Sequence, residues 1–190
     1  MTHGGREIEI KLAVSSADDA RRLLRGAGFR LYRRRVLEAN TVFDTPAALL
    51  RRSGCLLRVR QAGRRNTLTY KGAAQPGRFK SREELEVELS DVRVFIAILS
   101  RLGYQQVFRY EKFRTEYKAS DSDDGHATLD ETPIGVYLEL EGRPTWIDAA
   151  ARRLGFTRSD YITESYGQLY LEWRQRVAHG ARAGRDMLFR

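Results

Sequence analysis

Glu7-Ile8-Glu9-Ile10-Lys11 is the stretch on which the fold turns. Charged and apolar residues alternate with period two, so three charged side chains share one face of an extended strand and the isoleucines share the other. The same alternation returns along the chain. At residues 55–61, Arg58 and Arg60 oppose Leu57 and Val59; at 79–89, Arg82, Glu84, Glu86 and Glu88 oppose Leu85, Val87 and Leu89. Further strands are predicted over 30–43, 67–71, 105–118, 127–132 and 135–141. Lys71 closes the second of these, Lys112 and Arg114 lie in register on the long third, and Glu139 and Glu141 share one face of the last.

Between the strands the period changes. Residues 16–26, 47–52, 92–102, 145–154 and 162–174 carry helical spacing, with Ser15 or Ser16 as a cap and Gly28 and Gly103 as stops. Helices inserted among about eight antiparallel strands give an α+β class. An amphipathic strand ordinarily turns its charged face to water. Here the charged faces carry both signs in clusters, and the helices need an apolar surface to cover. If they cover the apolar faces of the sheet, the charged faces turn toward one another. The expected architecture is therefore a closed eight-stranded antiparallel β-barrel with a charged lumen and helices outside. Buried charges of this number are costly unless neutralised, which divalent cations and a polyanion would do.

The whole chain sets outer limits. Its 190 residues suit one domain, placed at 1–174 with a loosely held basic tail at 175–190. No apolar run approaches the roughly 18 residues of a membrane helix, and Met1-Thr2-His3-Gly4-Gly5 lacks the apolar core of a signal peptide. The lone Cys55 reads as a buried structural thiol, and with it a cytoplasmic location is expected. His3, His126 and His179 fall in predicted loops or tails and receive no role. The formal net charge of +9 points to phosphate, nucleotide or nucleic acid as a ligand without choosing among them.

The ordered series of charged motifs resembles the CYTH superfamily, the triphosphate tunnel metalloenzymes that include class IV adenylyl cyclases and thiamine triphosphatases. Glu7-x-Glu9-x-Lys11 is similar to its opening signature, and Phe43-Asp44-Thr45-Pro46 to its aromatic-Asp-Thr-Pro corner. Leu57-Arg58-Val59-Arg60, Leu68-Thr69-Tyr70-Lys71-Gly72, Arg82-x-Glu84-x-Glu86, Lys112-x-Arg114, Asp130 with Glu139-x-Glu141, and Ser165-Tyr166 follow in order. The resemblance covers about residues 6–174. Glu164 departs from it, standing where members often carry a base.

The resemblance implies a tunnel open at both ends and a metal-dependent enzyme acting on triphosphates. Glu7, Glu9, Glu139 and Glu141 are the candidate ligands of Mg²⁺ or Mn²⁺, hard ions suited to carboxylate oxygens. Lys11, Arg58, Arg60, Lys71, Arg82, Lys112 and Arg114 form the candidate phosphate clamp, Arg as a planar fork and Lys as a point charge. Lys11, Glu84, Glu86 and Asp130 are the candidate catalytic groups, with Asp130 set to hold a second metal or orient a water. Hydrolysis to phosphate is the preferred reaction. Cyclisation of ATP by a class IV adenylyl cyclase is the alternative, and a non-catalytic polyphosphate or nucleic-acid binder the second alternative. The expected partner is a small-molecule triphosphate; a membrane and specific nucleic-acid binding are not expected, and a homodimer is allowed.

Overall fold

The computed structural model describes residues 3–120, 123–177 and 184–190. Eight strands, β1 (His3–Val14), β2 (Phe29–Asp44), β3 (Leu56–Ala62), β4 (Arg65–Lys71), β5 (Lys80–Glu88), β6 (Gln105–Ala119), β7 (Gly125–Thr132) and β8 (Gly135–Gly142), close into one antiparallel barrel. The order around it is β1-β5-β4-β3-β2-β6-β7-β8. The helices are α1 (Ala17–Gly26), α2 (Leu49–Arg52), α3 (Val92–Arg101), α4 (Pro144–Arg153) and α5 (Tyr166–Val177). The class and the closed barrel are those expected from the alternation.

The apolar faces do meet helices. Ile10 and Leu12 of β1, Leu129 of β7, and Leu138 and Leu140 of β8 are fully buried under Leu24 of α1 and Ile147 of α4. Burying side chains of this kind contributes roughly 1.5–3 kcal/mol each. Ser16 caps α1 by accepting from the Asp19 amide at 3.1 Å, and Gly28, at φ +79°, turns the chain into β2. Trp146 of α4 lies directly on Gly125 and Gly142. A Cβ on Gly125 would come within 2.4 Å of its ring, so only glycine lets α4 seat there. On the other side of the barrel, Leu99 of α3 packs on Phe43 and Val59.

Several details depart from the sequence reading. α5 starts at Tyr166 rather than near 162, because the Ile162 backbone is paired with Lys11: the Lys11 amide donates to the Ile162 carbonyl at 2.8 Å and the Ile162 amide donates back at 2.9 Å. α2 is short because Asp44 holds its start, its carboxylate accepting from the amides of Thr45, Leu50 and Arg51 at 2.7–2.9 Å. His126 is no loop residue but part of β7, and His3 opens β1; His179 lies outside the described residues. Cys55 is only half-buried and accepts from the Tyr70 hydroxyl at 3.4 Å. The end of the chain is not loose: Met187 is fully buried against Tyr110, Tyr166 and Tyr170, and its amide and carbonyl bond to the β6 backbone at 2.9 Å. An apolar Met amid a basic stretch supplies that anchor.

Candidate active site

The lumen is a cavity of about 1180 Å³. Antiparallel register sets its charge pattern, since residues directly opposite one another point to the same face. Glu7 lies opposite Arg82 and Glu9 opposite Lys80 on β5; on its other side Glu9 lies opposite Glu141, and Lys11 opposite Glu139. Lys71 stands opposite Glu84, Glu38 opposite Lys112, and Arg114 opposite Asp130. The candidate residues therefore converge on one interior. The carboxylates of Glu7, Glu9, Glu38, Glu84, Glu86, Asp130, Glu139 and Glu141 meet there with Lys11, Arg58, Arg60, Lys71, Lys80, Arg82, Lys112 and Arg114.

These groups divide into two walls. On the basic wall, acids stand behind the bases and fix them. Asp130, with no exposed surface, accepts from Lys112 at 2.7 Å, from Arg114 at 2.6 and 2.7 Å, and from the Tyr166 hydroxyl at 2.8 Å. Glu38 lies 3.1 Å from Arg60 and 3.6 Å from Lys112. Burial works to raise the Glu38 carboxyl, but Arg60 and Lys112 overcome it and hold it at about 2. Glu139 is held among Arg114, Lys11 at 3.4 Å and Lys112 at 4.0 Å. Arg58 donates to the Tyr110 hydroxyl at 3.2 Å and to Thr69 at 3.1 Å. Its Nε is buried with no hydrogen-bond partner among the described residues. An orphaned guanidinium N–H of this kind is a place for an anion's oxygen. Burial, and then Arg58 and Arg60, act in opposite senses on Tyr110; the cations win and bring its phenol down to about 8.

The acidic wall lies on β1, β5 and β8. Glu7 accepts from Lys71 at 2.5 Å and from Arg82 at 3.2 Å, while Glu9 lies 3.3 Å from Lys11 and 3.1 Å from Lys80. Lys71 also reaches Glu84 at 3.2 Å. Cations are short here. Burial, then the charges of Glu7 and Glu9, push the Glu141 carboxyl up to about 8, and the nearest basic group is His126 at 3.6 Å. Burial, with Glu7 adding to it, likewise raises Glu84. Among the described residues no three carboxylates are already gathered as a metal cluster; ammonium groups stand between them instead. The donor set is nonetheless all carboxylate oxygen, and the repulsion between Glu9 and Glu141 is what a divalent cation would relieve. The residues fit a hard ion.

Asp130 is buried behind Lys112 and Arg114 with both oxygens engaged, and it does not line the cavity. Glu86 accepts from Thr69 at 3.0 Å and faces the cavity. Glu164 folds back on the Thr163 amide at 3.1 Å, outside the cavity wall. Four lumen residues escaped the sequence reading: Glu38, Asn40, Lys80 and Tyr110. The signal was present, because Lys80 and Tyr110 each lie two residues before a residue already placed inside, and Glu38-x-Asn40 interrupts an apolar run with the same period.

The barrel and its paired walls define a charged β-tunnel, a protein that gathers charged groups of both signs in its interior. The CYTH domain profile matches residues 5–166, and the chain belongs to that family. A Methanocaldococcus jannaschii protein provisionally named an adenylate cyclase is 29% identical over 136 residues, covering 71% of this chain and 75% of the relative. A solved Pyrococcus horikoshii structure is 27% identical with a TM-score of 0.72, covering 87% of this chain and 98% of that one. A Hippeastrum protein, described as a candidate adenylyl cyclase with a dominant triphosphatase activity, shares the fold at a TM-score of 0.61 and 17% identity, over 90% of this chain and 96% of that one.

Proposed function

We propose that the protein is a divalent-metal-dependent triphosphatase that releases phosphate from inorganic tripolyphosphate or an organic triphosphate. The observation that carries this reading is the Glu9–Glu141 pair: a buried and a half-buried carboxylate directly opposite each other, facing a wall of fixed bases. A protein that merely bound a polyanion would gain nothing from that crowding, since bare carboxylates repel phosphates. Glu7, Glu9 and Glu141 would hold Mg²⁺ or Mn²⁺, with Glu139 at the border between the walls. When bound, such an ion neutralises phosphate oxygens and draws electron density from phosphorus.

The chain's own residues do the rest. Arg58, Arg60, Lys112 and Arg114 take the phosphate oxygens, and Lys11, Lys71, Lys80 and Arg82 complete the clamp from the other side. Glu38 and Asp130 hold those bases in place, so little reorganisation is needed when charge builds on the transferred group. Glu84 and Glu86 face the cavity and orient the attacking water. Its oxygen bonds to the terminal phosphorus, the bond to the bridging oxygen breaks with its electron pair, and the water's proton passes to Glu84.

The second reading, cyclisation of ATP to cyclic AMP and pyrophosphate, is favoured by the name of the M. jannaschii relative. The fold does not select it, since the Hippeastrum protein carries a dominant triphosphatase activity on the same architecture. Incubation with tripolyphosphate, thiamine triphosphate and ATP, each with Mg²⁺ or Mn²⁺, separates the two when phosphate, pyrophosphate and cyclic AMP are resolved. Phosphate release is the expected product. Cyclic AMP as the main product from ATP would replace this reading with the second, and folded protein without turnover would remove both.

A further inference from the structure

The chain's formal net charge is +9, and that surplus is unevenly spread along it. Its densest stretch is the first half of β2, Arg30-Leu31-Tyr32-Arg33-Arg34-Arg35. Residues 29–37 pair with β6 alone, because β3 joins β2 only from Glu38 onward. Their other edge meets no strand among the described residues. Arg30 through Arg35 are all exposed, with Leu31 at 56% and Tyr32 at 52%. Arg33 pairs with Glu116 and Arg35 with Glu131, whereas Arg30 and Arg34 have no acidic partner among the described residues. The Tyr32 ring is flanked by Lys118 at 4.4 Å and Arg33 at 5.4 Å.

Charge on an open strand edge has an ordinary use, which is to stop edges from pairing with one another. It excludes a second copy of this chain as the occupant, since four arginines would face four. It does not explain why an aromatic ring and a leucine stand exposed among them. A stretch of cations on both faces of an open strand around an exposed aromatic, about 17 Å from Arg30 to Arg35 at ~3.3 Å per residue, can follow a single-stranded backbone and stack a base. We propose that this arm of β2, which runs beyond the span paired with β3, is a docking surface for single-stranded nucleic acid, tolerant of sequence and distinct from the phosphate clamp. A polyphosphate chain would use the arginines but not the ring.

The test is fluorescence anisotropy of the full chain with a labelled oligouridylate of about 20 nucleotides carrying a 5′-hydroxyl, a length above one single-strand site. Binding that weakens with salt is expected. Arg30→Glu with Arg34→Glu should lower affinity at least tenfold and flatten the salt slope by about 1.4, at roughly 0.7 per phosphate contact. Tyr32→Ala should lower affinity about fivefold or more with the slope unchanged, as loss of one stacked base does. Circular dichroism checks that each variant is folded, so the result does not depend on what the lumen catalyses. Absence of binding by the unsubstituted chain would overturn the proposal. So would binding that tripolyphosphate abolishes and the arm variants leave intact, which places the oligonucleotide in the tunnel. Full affinity in Tyr32→Ala, with polyphosphate competing as well as RNA, would replace it with a generic polyanion patch.

Discussion

The two walls of the tunnel spend their charges differently. On the basic wall Arg60, Lys112 and Arg114 have buried acids behind them, and the chain Arg60–Glu38–Lys112–Asp130–Arg114 runs without a break between 2.6 and 3.6 Å. On the acidic wall Glu9 has two lysines beside it, whereas Glu141, directly opposite, has only His126 within 4 Å among the described residues. The first arrangement is ion-paired throughout that chain, with Arg58 Nε left open for an anion's oxygen, and the second is short of cation at Glu141. The difference teaches which groups are structure and which await a partner: satisfied pairs fix geometry, and the unsatisfied ones mark where a cation is missing.

The largest effect should come from the incomplete wall. Glu9→Gln keeps the size and shape of the side chain but removes the charge that a divalent ion needs, while Lys11 and Lys80 lose their shared partner. Metal-dependent turnover of tripolyphosphate should fall by at least about 100-fold, or roughly 2.7 kcal/mol of transition-state stabilisation. The protein should still unfold cooperatively. Unchanged turnover would remove Glu9 from the metal site and with it the contrast between the walls.

On the complete wall the main loss should be in stability. Asp130→Asn leaves Lys112, Arg114 and the Tyr166 hydroxyl without the buried charge on which they converge. Breaking a buried ionic network by removing one partner costs about 3–5 kcal/mol. Urea unfolding should show a loss near the lower end of that range, because water in the lumen softens it. If Asp130 instead held a metal, stability without metal would be nearly unchanged, and only activity would fall.

Why one wall was easier to foresee than the other follows from how each is encoded. Glu7-x-Glu9-x-Lys11 and Glu139-x-Glu141 advertise themselves, since alternating charge on a strand is a local pattern that a single segment displays. The barrel itself was legible for the same reason, with the helical stretches confirming which face needed cover. The supporting acids were not. Glu38 has a role only because β2 pairs with both β3 and β6, so that Arg60 and Lys112 arrive from opposite sides. Asp130 was visible as a charge, but its depth, and the entry of Tyr166 from α5, depend on contacts 16 to 36 residues apart in sequence. The buried Met187 escaped for a like reason: nothing local sets a methionine in a basic tail apart from a loose one.

Glu38 gives a smaller and pH-dependent test of the same wall. Its folded carboxyl is held at about 2 against an ordinary value near 4.5. A depressed carboxyl stabilises the fold above the unfolded value, and that stability is lost as pH falls from about 4.5 toward 2. Glu38→Gln should therefore cost about 2 kcal/mol at neutral pH, somewhat less than the full shift implies. The gap between the two proteins should close through that acid window. A gap that persists below pH 2 would mean that the glutamine disturbs packing rather than charge.

The smallest effect has the opposite sign and separates the walls most sharply. Glu141→Gln removes a carboxyl held up to about 8 beside Glu9, one that must take up a proton on folding at neutral pH, so without divalent metal the variant should be more stable than the original there, by roughly 0.5–1 kcal/mol on the scale of cross-strand pairs. Adding Mg²⁺ or Mn²⁺ should reverse the order: the unsubstituted protein gains thermal stability with metal concentration, and the variant gains less because it lacks a ligand. A site kept for structure alone would lose stability on substitution, as Asp130 and Glu38 should. If Glu141→Gln is destabilised without metal and responds to metal as the unsubstituted protein does, the acidic wall is as complete as the basic one, and the ion belongs elsewhere.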